Sequence, residues 1–499
     1  MALVVALAFA LRIYRLGNEN LWIDEVYQVR VASQSPGEII RNYTPDAAHG
    51  TFDQAPLSFL ITHPFLAERN PEFYVRLPSA IFGTLGVLGI FLLARQLLPF
   101  GPSLLATAFL AISPVHVWYS QEARWYSQWV CLTILSYIAL IRASASPSRW
   151  PWVGYGLATL ANFYTFIYTP FVIATQGLSL WWLQRLDRQG YRKIRTFLLV
   201  VVTVLVAAGP VIWVVVSHMG TAYSGTARES SMLELLYSFM VYSVGFTVGP
   251  SLAQLHHTRN PLLLLRDHPE VVSLVFVFLA ISLRGLKGLI RNPRIACWVV
   301  PWMVLPPIVV SLISWLMADM TYQVRYTLAS LPAFITVLAI GVWSLKGAVR
   351  WLAGSAVLAA SLLSLSNLYW AEKYNRADVR GALEYIRLVD SEETQILVVG
   401  QVEIAMPFYA DDPGTRIVTC GAKRYTEYPH IDPRNTDDAQ SGLLNKMDPF
   451  RRVWALSGRD WENDAPRCLQ LLSLSYSTAE QAAFSGVDLW RLEPRANGN

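Results

Sequence analysis

Charge is scarce in this chain. Of 499 residues only 15% are Asp, Glu, Lys or Arg, while 54% are hydrophobic. Soluble globular domains carry about 25% charged residues. The deficit, with the long apolar runs, excludes an ordinary water-soluble fold and points to a polytopic membrane protein. Cysteine is also rare. Cys131, Cys297, Cys420 and Cys468 are spread out and no CxxC pair occurs, which argues against a structural zinc site. There is no short-period internal repeat and no low-complexity segment. The net charge of +5 is no sign of a nucleic-acid partner, because the basic residues fall in short clusters between apolar runs. Finally, Met1 to Ala10 carry no charge, and Arg12 and Arg15 follow. A secretory signal puts its positive charge first and ends in a small-residue cleavage site. An uncleaved helix is expected instead. About 14 residues at ~1.5 Å each reach ~21 Å, short of the ~30 Å hydrocarbon core. Such a helix either tilts into a thin region or continues one that starts upstream.

What the chain has is apolar runs. They fall at 2–15, 80–98, 103–119, 126–142, 151–165, 168–184, 196–216, 270–284, 295–317, 327–345 and 351–369. The 18 Trp and 23 Tyr lie largely near their ends, as interfacial belts do. Four basic clusters arbitrate the topology: Arg142 with Arg149; Arg185, Arg188, Arg192, Lys193 and Arg195; Arg284, Lys287, Arg291 and Arg294; Lys346 with Arg350. The positive-inside rule puts all four in the cytoplasm. About eleven spans and an internal N-terminus satisfy this, provided 151–184 is broken into two helices and 232–249 does not span. Residues 17–79 then form a long outer loop. Residues 370–499 also lie outside, and their composition changes. The helix-like stretch Asp378 to Val389 precedes short apolar segments such as Ile396-Leu397-Val398-Val399 and Val453-Trp454-Ala455-Leu456. The pattern is that of a small α/β domain. The expected division is therefore 1–369, the membrane part, and 370–499, the exported part.

Four constellations carry polar chemistry. Asp24 and Glu25 stand side by side just after the first apolar segment, where carboxylates are costly to hold near lipid. A helix cap is the plain alternative. Asp53, in Phe52-Asp53-Gln54-Ala55-Pro56-Leu57, shares the outer loop with them and is otherwise a turn residue. The third is Tyr119-Ser120-Gln121-Glu122-Ala123-Arg124, in which Glu122 and Arg124, two apart, cannot share a helix face. His116 just before it reads as a packing residue. The fourth is Gln323-Val324-Arg325-Tyr326 at the outer end of a span. Its guanidinium suits a phosphate through a planar fork, or anchors the interface. His256 and His257 read as residues of a solvated loop. Cys420 and Cys468, the cysteines of the exported part, are candidates for a disulfide, which needs Cα atoms within about 7 Å.

These residues resemble a known superfamily. Trp22-Ile23-Asp24-Glu25, Ala55-Pro56-Leu57, Val75-Arg76-Leu77-Pro78-Ser79-Ala80-Ile81-Phe82-Gly83 and Tyr119-Ser120-Gln121-Glu122-Ala123-Arg124 occur in the order and spacing of the GT-C glycosyltransferases. The group most similar is that of the bacterial protein O-mannosyltransferases and aminoarabinose transferases. Arg325-Tyr326 followed by Leu331-Pro332-Ala333 looks like the family's late Arg-Tyr segment. The resemblance implies a multi-pass enzyme of the cell inner (plasma) membrane with its active site on the extracytoplasmic side. It implies transfer of a sugar from a polyprenyl-phosphate donor to a hydroxyl of a glycan, lipid or protein acceptor. By that reading Asp24 and Glu25 are catalytic, and Arg325, Arg76, Arg124 and Tyr326 hold the donor phosphate. Asp53, Glu122, Gln121 and Tyr119 then bind substrate. No cofactor is certain. A divalent metal, held by Asp24 and Asp53, belongs to some relatives only. The segment Gln54-Ala55-Pro56 departs from the family's His and first Pro, which weakens that metal site. A transporter or flippase of lipid-linked sugars is the alternative. It would place ionisable residues near mid-span, where this sequence has few. A membrane-anchored sensor would leave the outer acids unexplained.

Overall fold

The computed structural model describes residues 1–43, 55–187, 191–217, 233–250, 254, 266–316, 322–390, 395–410, 415–421, 428–433, 446–447, 451–458, 465–473 and 475–495. Asp53, Gln54, His256 and His257 lie outside the described residues. The chain divides into two units. The first comprises Met1–Leu16, Gln28–Gly249 and Leu265–Tyr369; the second comprises Gly17–Tyr27, Pro250–Leu264 and Trp370–Asn499. The division differs from the sequence expectation in one respect that matters. The segment carrying Asp24 and Glu25 groups with the C-terminal part of the chain, because its hydrogen bonds run there.

The first unit is helical. In chain order come α1 (Ala2–Ile13), α2 (Ile23–Ala32, whose first turn lies in the second unit), α3 (Pro36–Arg41), α4 (Pro56–Thr62), α5 (Pro71–Leu97), α6 (Phe100–Ala111) and α7 (Pro114–Ser120). Then come α8 (Tyr126–Ala145), α9 (Trp150–Phe163), α10 (Thr169–Asp187), α11 (Arg192–Ala207), α12 (Gly209–Ser217) and α13 (Leu233–Val244). Helices Pro269–Ile290, Pro293–Leu316, Leu331–Trp343 and Gly347–Trp370 complete it. Among the described residues six helices are long and apolar enough to cross a membrane, and two bent pairs raise the number to eight. The pairs are α6 with α7, at 55°, and α11 with α12, at 63°. Both bends fall where proline, Pro114 or Pro210, removes a backbone donor. About eleven spans were expected. The difference lies in α1 and α9, which have 12 and 14 residues, and in α10, whose inner face carries buried Thr175, Gln176, Ser179 and Gln184. The expected break inside 151–184 is present between Phe163 and Thr169, and α13 is not among the candidate spans.

Two devices join these helices. One is close approach through glycine. A Cβ on Gly285 would sit 2.2 Å from the Val337 carbonyl oxygen, and one on Gly341 would sit 2.2 Å from that of Ile281. Helices Pro269–Ile290 and Leu331–Trp343 therefore touch backbone to backbone, as small residues permit in apolar surroundings. The other is a buried polar ladder across α8, α9 and α10. Tyr155 donates to Gln176 Oε1 at 2.9 Å, Gln176 Nε2 donates to Ser136 Oγ at 2.7 Å, and Tyr137 and Thr175 share a 2.8 Å bond. Each group needs a partner because none can find water there.

The second unit holds a six-stranded sheet in the order β3-β2-β1-β4-β6-β5. Its strands are β1 (Gln395–Val399), β2 (Arg416–Cys420), β3 (His430–Ile431), β4 (Val453–Gly458), β5 (Tyr476–Phe484) and β6 (Val487–Pro494). The first four run parallel, and β6 and β5 are antiparallel. Central β1 is buried at every position, which explains its unbroken apolar run. Edge strand β5 is mostly exposed. Helix Val379–Val389, capped by Asp378 accepting from the Gly381 N–H, precedes β1. Cys420 at the end of β2 is bonded to Cys468 on helix Ala465–Ser473, with Cα atoms 6.2 Å apart. Cys131 and Cys297 are free and buried.

Candidate functional site

In the first unit the sequence-predicted residues gather around Tyr126, the first residue of α8. The chain leaves α7 at Ser120 and turns through Gln121 to Trp125 before α8 begins. This non-helical turn lets Glu122 and Arg124 take separate partners, as their spacing requires. Trp118 Nε1 donates to Glu122 Oε1 at 2.7 Å. The Arg124 guanidinium lies 6.0 Å from the Tyr126 ring centre, and its carbonyl accepts from Ser79 Oγ at 3.0 Å. Gln121 Nε2 donates to the carbonyls of Leu11, Arg12 and Tyr14, at 3.3, 3.2 and 2.8 Å, which fixes the turn to the end of α1.

Arg325 comes to the same tyrosine from the far end of the chain. It lies on the 3-10 turn Val324–Ser330, and its Nη1 donates to the Tyr126 hydroxyl at 3.2 Å. It also lies 5.5 Å above the Tyr326 ring. Tyr326 in turn has Trp125, Phe166 and Tyr168 as ring neighbours, at 6.5, 5.6 and 5.1 Å. Tyr119 packs its ring 4.7 Å from that of Tyr126. Arg124, Glu122 and Tyr119 are buried. Two guanidinium groups thus meet at one tyrosine inside an aromatic wall. Cations rest well on ring faces, and in low dielectric each attracts an anion far more strongly than in water. Arg76 is placed differently. It is buried in α5 and its Nη1 donates to the Leu16 carbonyl at 2.9 Å. His116 is buried with Nδ1 2.7 Å from the Arg12 guanidinium.

Asp24 and Glu25 lie in the second unit, in the first turn of α2. Glu25 is fully buried and ion-paired with Arg376, while Asp24 is half-buried. Among the described residues no three His, Cys, Asp or Glu side chains come together to hold a metal ion.

Residues 53–213 match the family described as dolichyl-phosphate-mannose-protein mannosyltransferase. No curated protein matches the sequence. Among solved structures the chain is similar to ArnT from Cupriavidus metallidurans in the apo state. The TM-score is 0.62 at 14% identity, over 98% of this chain and 97% of that one. The chain shares its fold with that protein. ArnT bound to undecaprenyl phosphate gives a TM-score of 0.58 at 15% identity, again over 98% and 97%. The archaeal oligosaccharyltransferase AglB from Archaeoglobus fulgidus, in complex with an inhibitory peptide and a dolichol-phosphate, gives 0.53 at 11% identity, over 98% of this chain and 73% of that one.

Within this fold, two residues escape a sequence reading of the site. Tyr126 reads only as the end of an aromatic run, yet Arg325 bonds it and Arg124 lies over it. Its signal is the run of aromatics that closes the Glu122–Arg124 turn. Arg376 stands in the stretch Tyr374-Asn375-Arg376-Ala377, with no motif around it, yet it grips Glu25.

Proposed function

We propose that this protein transfers a sugar from a polyprenyl-phosphate donor to an acceptor hydroxyl, on the extracytoplasmic face of the inner membrane and with inversion at the anomeric carbon. The observation that carries the reading is the meeting of Arg325 and Arg124 at Tyr126 in a buried aromatic setting of a multi-span chain. Such a setting suits the phosphate of a lipid-linked donor. That ArnT has been solved with undecaprenyl phosphate bound, and AglB with dolichol-phosphate, supports the choice of donor class. The disulfide of the second unit supports an oxidising compartment for that unit.

The chemistry is a single displacement. Asp24 takes the proton of the acceptor hydroxyl as that oxygen bonds to the anomeric carbon. The bond from the anomeric carbon to the phosphate oxygen breaks, and its electron pair leaves with the polyprenyl phosphate. A phosphate monoester has its second pKa near ~6, so it leaves without being protonated. What it needs is positive charge, assigned to Arg325 and Arg124, with Arg76 fixing the backbone at Leu16. The test uses purified protein in vesicles with a synthetic polyprenyl-phosphate sugar. Release of free polyprenyl phosphate, lost by about 10²–10⁴ in Asp24→Asn, is the expected result. Intact donor delivered across the bilayer, with no release, would overturn the transferase reading in favour of a flippase.

A further inference from the structure

Glu25 and Arg376 form an ion pair within the second unit. A fully buried carboxylate is costly unless a cation and further hydrogen bonds satisfy it. Glu25 has both. Its Oε2 is paired with Arg376 and also accepts from the Trp22 N–H at 3.3 Å. Arg376 reaches a second acid, with Nε 3.5 Å from Glu19 Oε2. Around this pair the segment is fastened at several points, all within the second unit. The Leu21 N–H donates to the Tyr409 hydroxyl at 2.7 Å. Asn20 Nδ2 donates to the Ala377 carbonyl at 3.2 Å and to Asp378 Oδ1 at 3.0 Å. The same Asp378 oxygen caps helix Val379–Val389 through the Gly381 N–H at 2.9 Å. Arg380 Nη2 donates to the Asn18 carbonyl at 3.2 Å.

We propose that Arg376 is a positioning residue for Asp24, acting through Glu25; the inference rests on the transferase reading above. Successive side chains on a helix point about 100° apart. Once Glu25 is turned inward onto Arg376, Asp24 is turned away from it, and it is indeed half-buried where Glu25 is fully buried. The rotation of the first turn of α2, and so the direction of the Asp24 carboxylate, is set by a residue at the edge of the C-terminal unit. On this account residues of the second unit hold the segment that carries Asp24.

The experiment uses the full chain. Arg376→Ala is measured for kcat, for donor KM and for hydrogen exchange at the backbone amides of Leu21 to Val26. The expected result is a fall in kcat of tenfold or more, an unchanged donor KM, and faster exchange confined to that segment. Arg376→Lys, which keeps the charge and loses the fork, restores part of kcat. Glu25→Gln lowers kcat to a similar extent, and the double variant lowers it no further than either single one. Unchanged exchange with unchanged kcat overturns the proposal, and so does a double variant whose loss is the product of the two single losses. Should Arg376→Ala fail to fold, Arg376→Met with Glu25→Gln leaves no lone buried charge and carries the test; a parent-like kcat in it would overturn the proposal. A parent protein that never releases polyprenyl phosphate sinks the transferase reading and the positioning role with it. The exchange measurement then still reports whether Arg376 holds the segment.

Discussion

Removing the Arg325 guanidinium should weaken donor binding by a predictable amount. Arg325 donates to the Tyr126 hydroxyl at 3.2 Å and lies 5.5 Å over the Tyr326 ring, so its head is held in place before any ligand arrives. A hydrogen bond to a charged partner is worth about 1.5–3 kcal/mol. At about 1.4 kcal/mol per tenfold, Arg325→Ala should raise the Kd for polyprenyl phosphate about 10- to 150-fold. Arg325→Lys keeps the charge but cannot form the planar fork, so its loss should be smaller, near the lower end of that range. Tyr126→Phe leaves the cation but removes the hydroxyl that orients it. One ordinary hydrogen bond, about 0.5–1.5 kcal/mol, then corresponds to a loss of about 2- to 12-fold. The order Ala, then Lys, then Tyr126→Phe is the informative part. Binding of undecaprenyl phosphate to detergent-purified variants by calorimetry measures it. If Arg325→Ala binds as tightly as the parent, the phosphate site belongs to Arg124, and the convergence on Tyr126 is a structural contact only.

Three further outcomes are expected. The disulfide closes a segment of 48 residues, for which chain entropy gives about 4 kcal/mol; Cys420→Ser with Cys468→Ser should lower protection of β2 amides by that much in exchange experiments, and free thiol labelling at both Cys420 and Cys468 in the parent would refute the bridge. Gly341→Ala should cost about 1–3 kcal/mol, seen as a lower Tm, because its Cβ would lie 2.2 Å from a carbonyl oxygen; Gly354→Ala, whose Cβ would meet only Val342 at 3.8 Å, is the near-neutral control. Reporter fusions after Arg149, Arg195 and Trp370 should read cytoplasm, cytoplasm and outside; a cytoplasmic signal at Trp370 would break the extracytoplasmic assignment.

The long apolar helices were legible because apolar length is a local signal. The break expected inside 151–184 lies between α9 and α10, whereas the bends at Pro114 and Pro210 interrupt runs that read as single spans. The β1 and β4 runs marked a small α/β domain in the same local way. The count of spans was less legible. An α10 that turns Thr175, Gln176 and Ser179 toward Tyr137, Tyr155 and Ser136 is polar by composition but satisfied in place, and hydropathy cannot see its partners.

The site shows the same divide more sharply. Asp24 and Glu25 stood out because two adjacent acids beside an apolar segment are anomalous at one glance. Which of them faces inward was not readable, since that depends on Arg376, 351 residues away in sequence. Likewise Arg325 was a plausible phosphate ligand by its type and position, but its support, Tyr126, lies 199 residues earlier. In both cases the residue proposed to act sits in a recognisable motif and its distant contact does not. That asymmetry has a physical basis. The reacting group must be one of few residue types, whereas an orienting contact needs only a charge or a hydroxyl at the right point in space, and any segment the fold brings there can supply it.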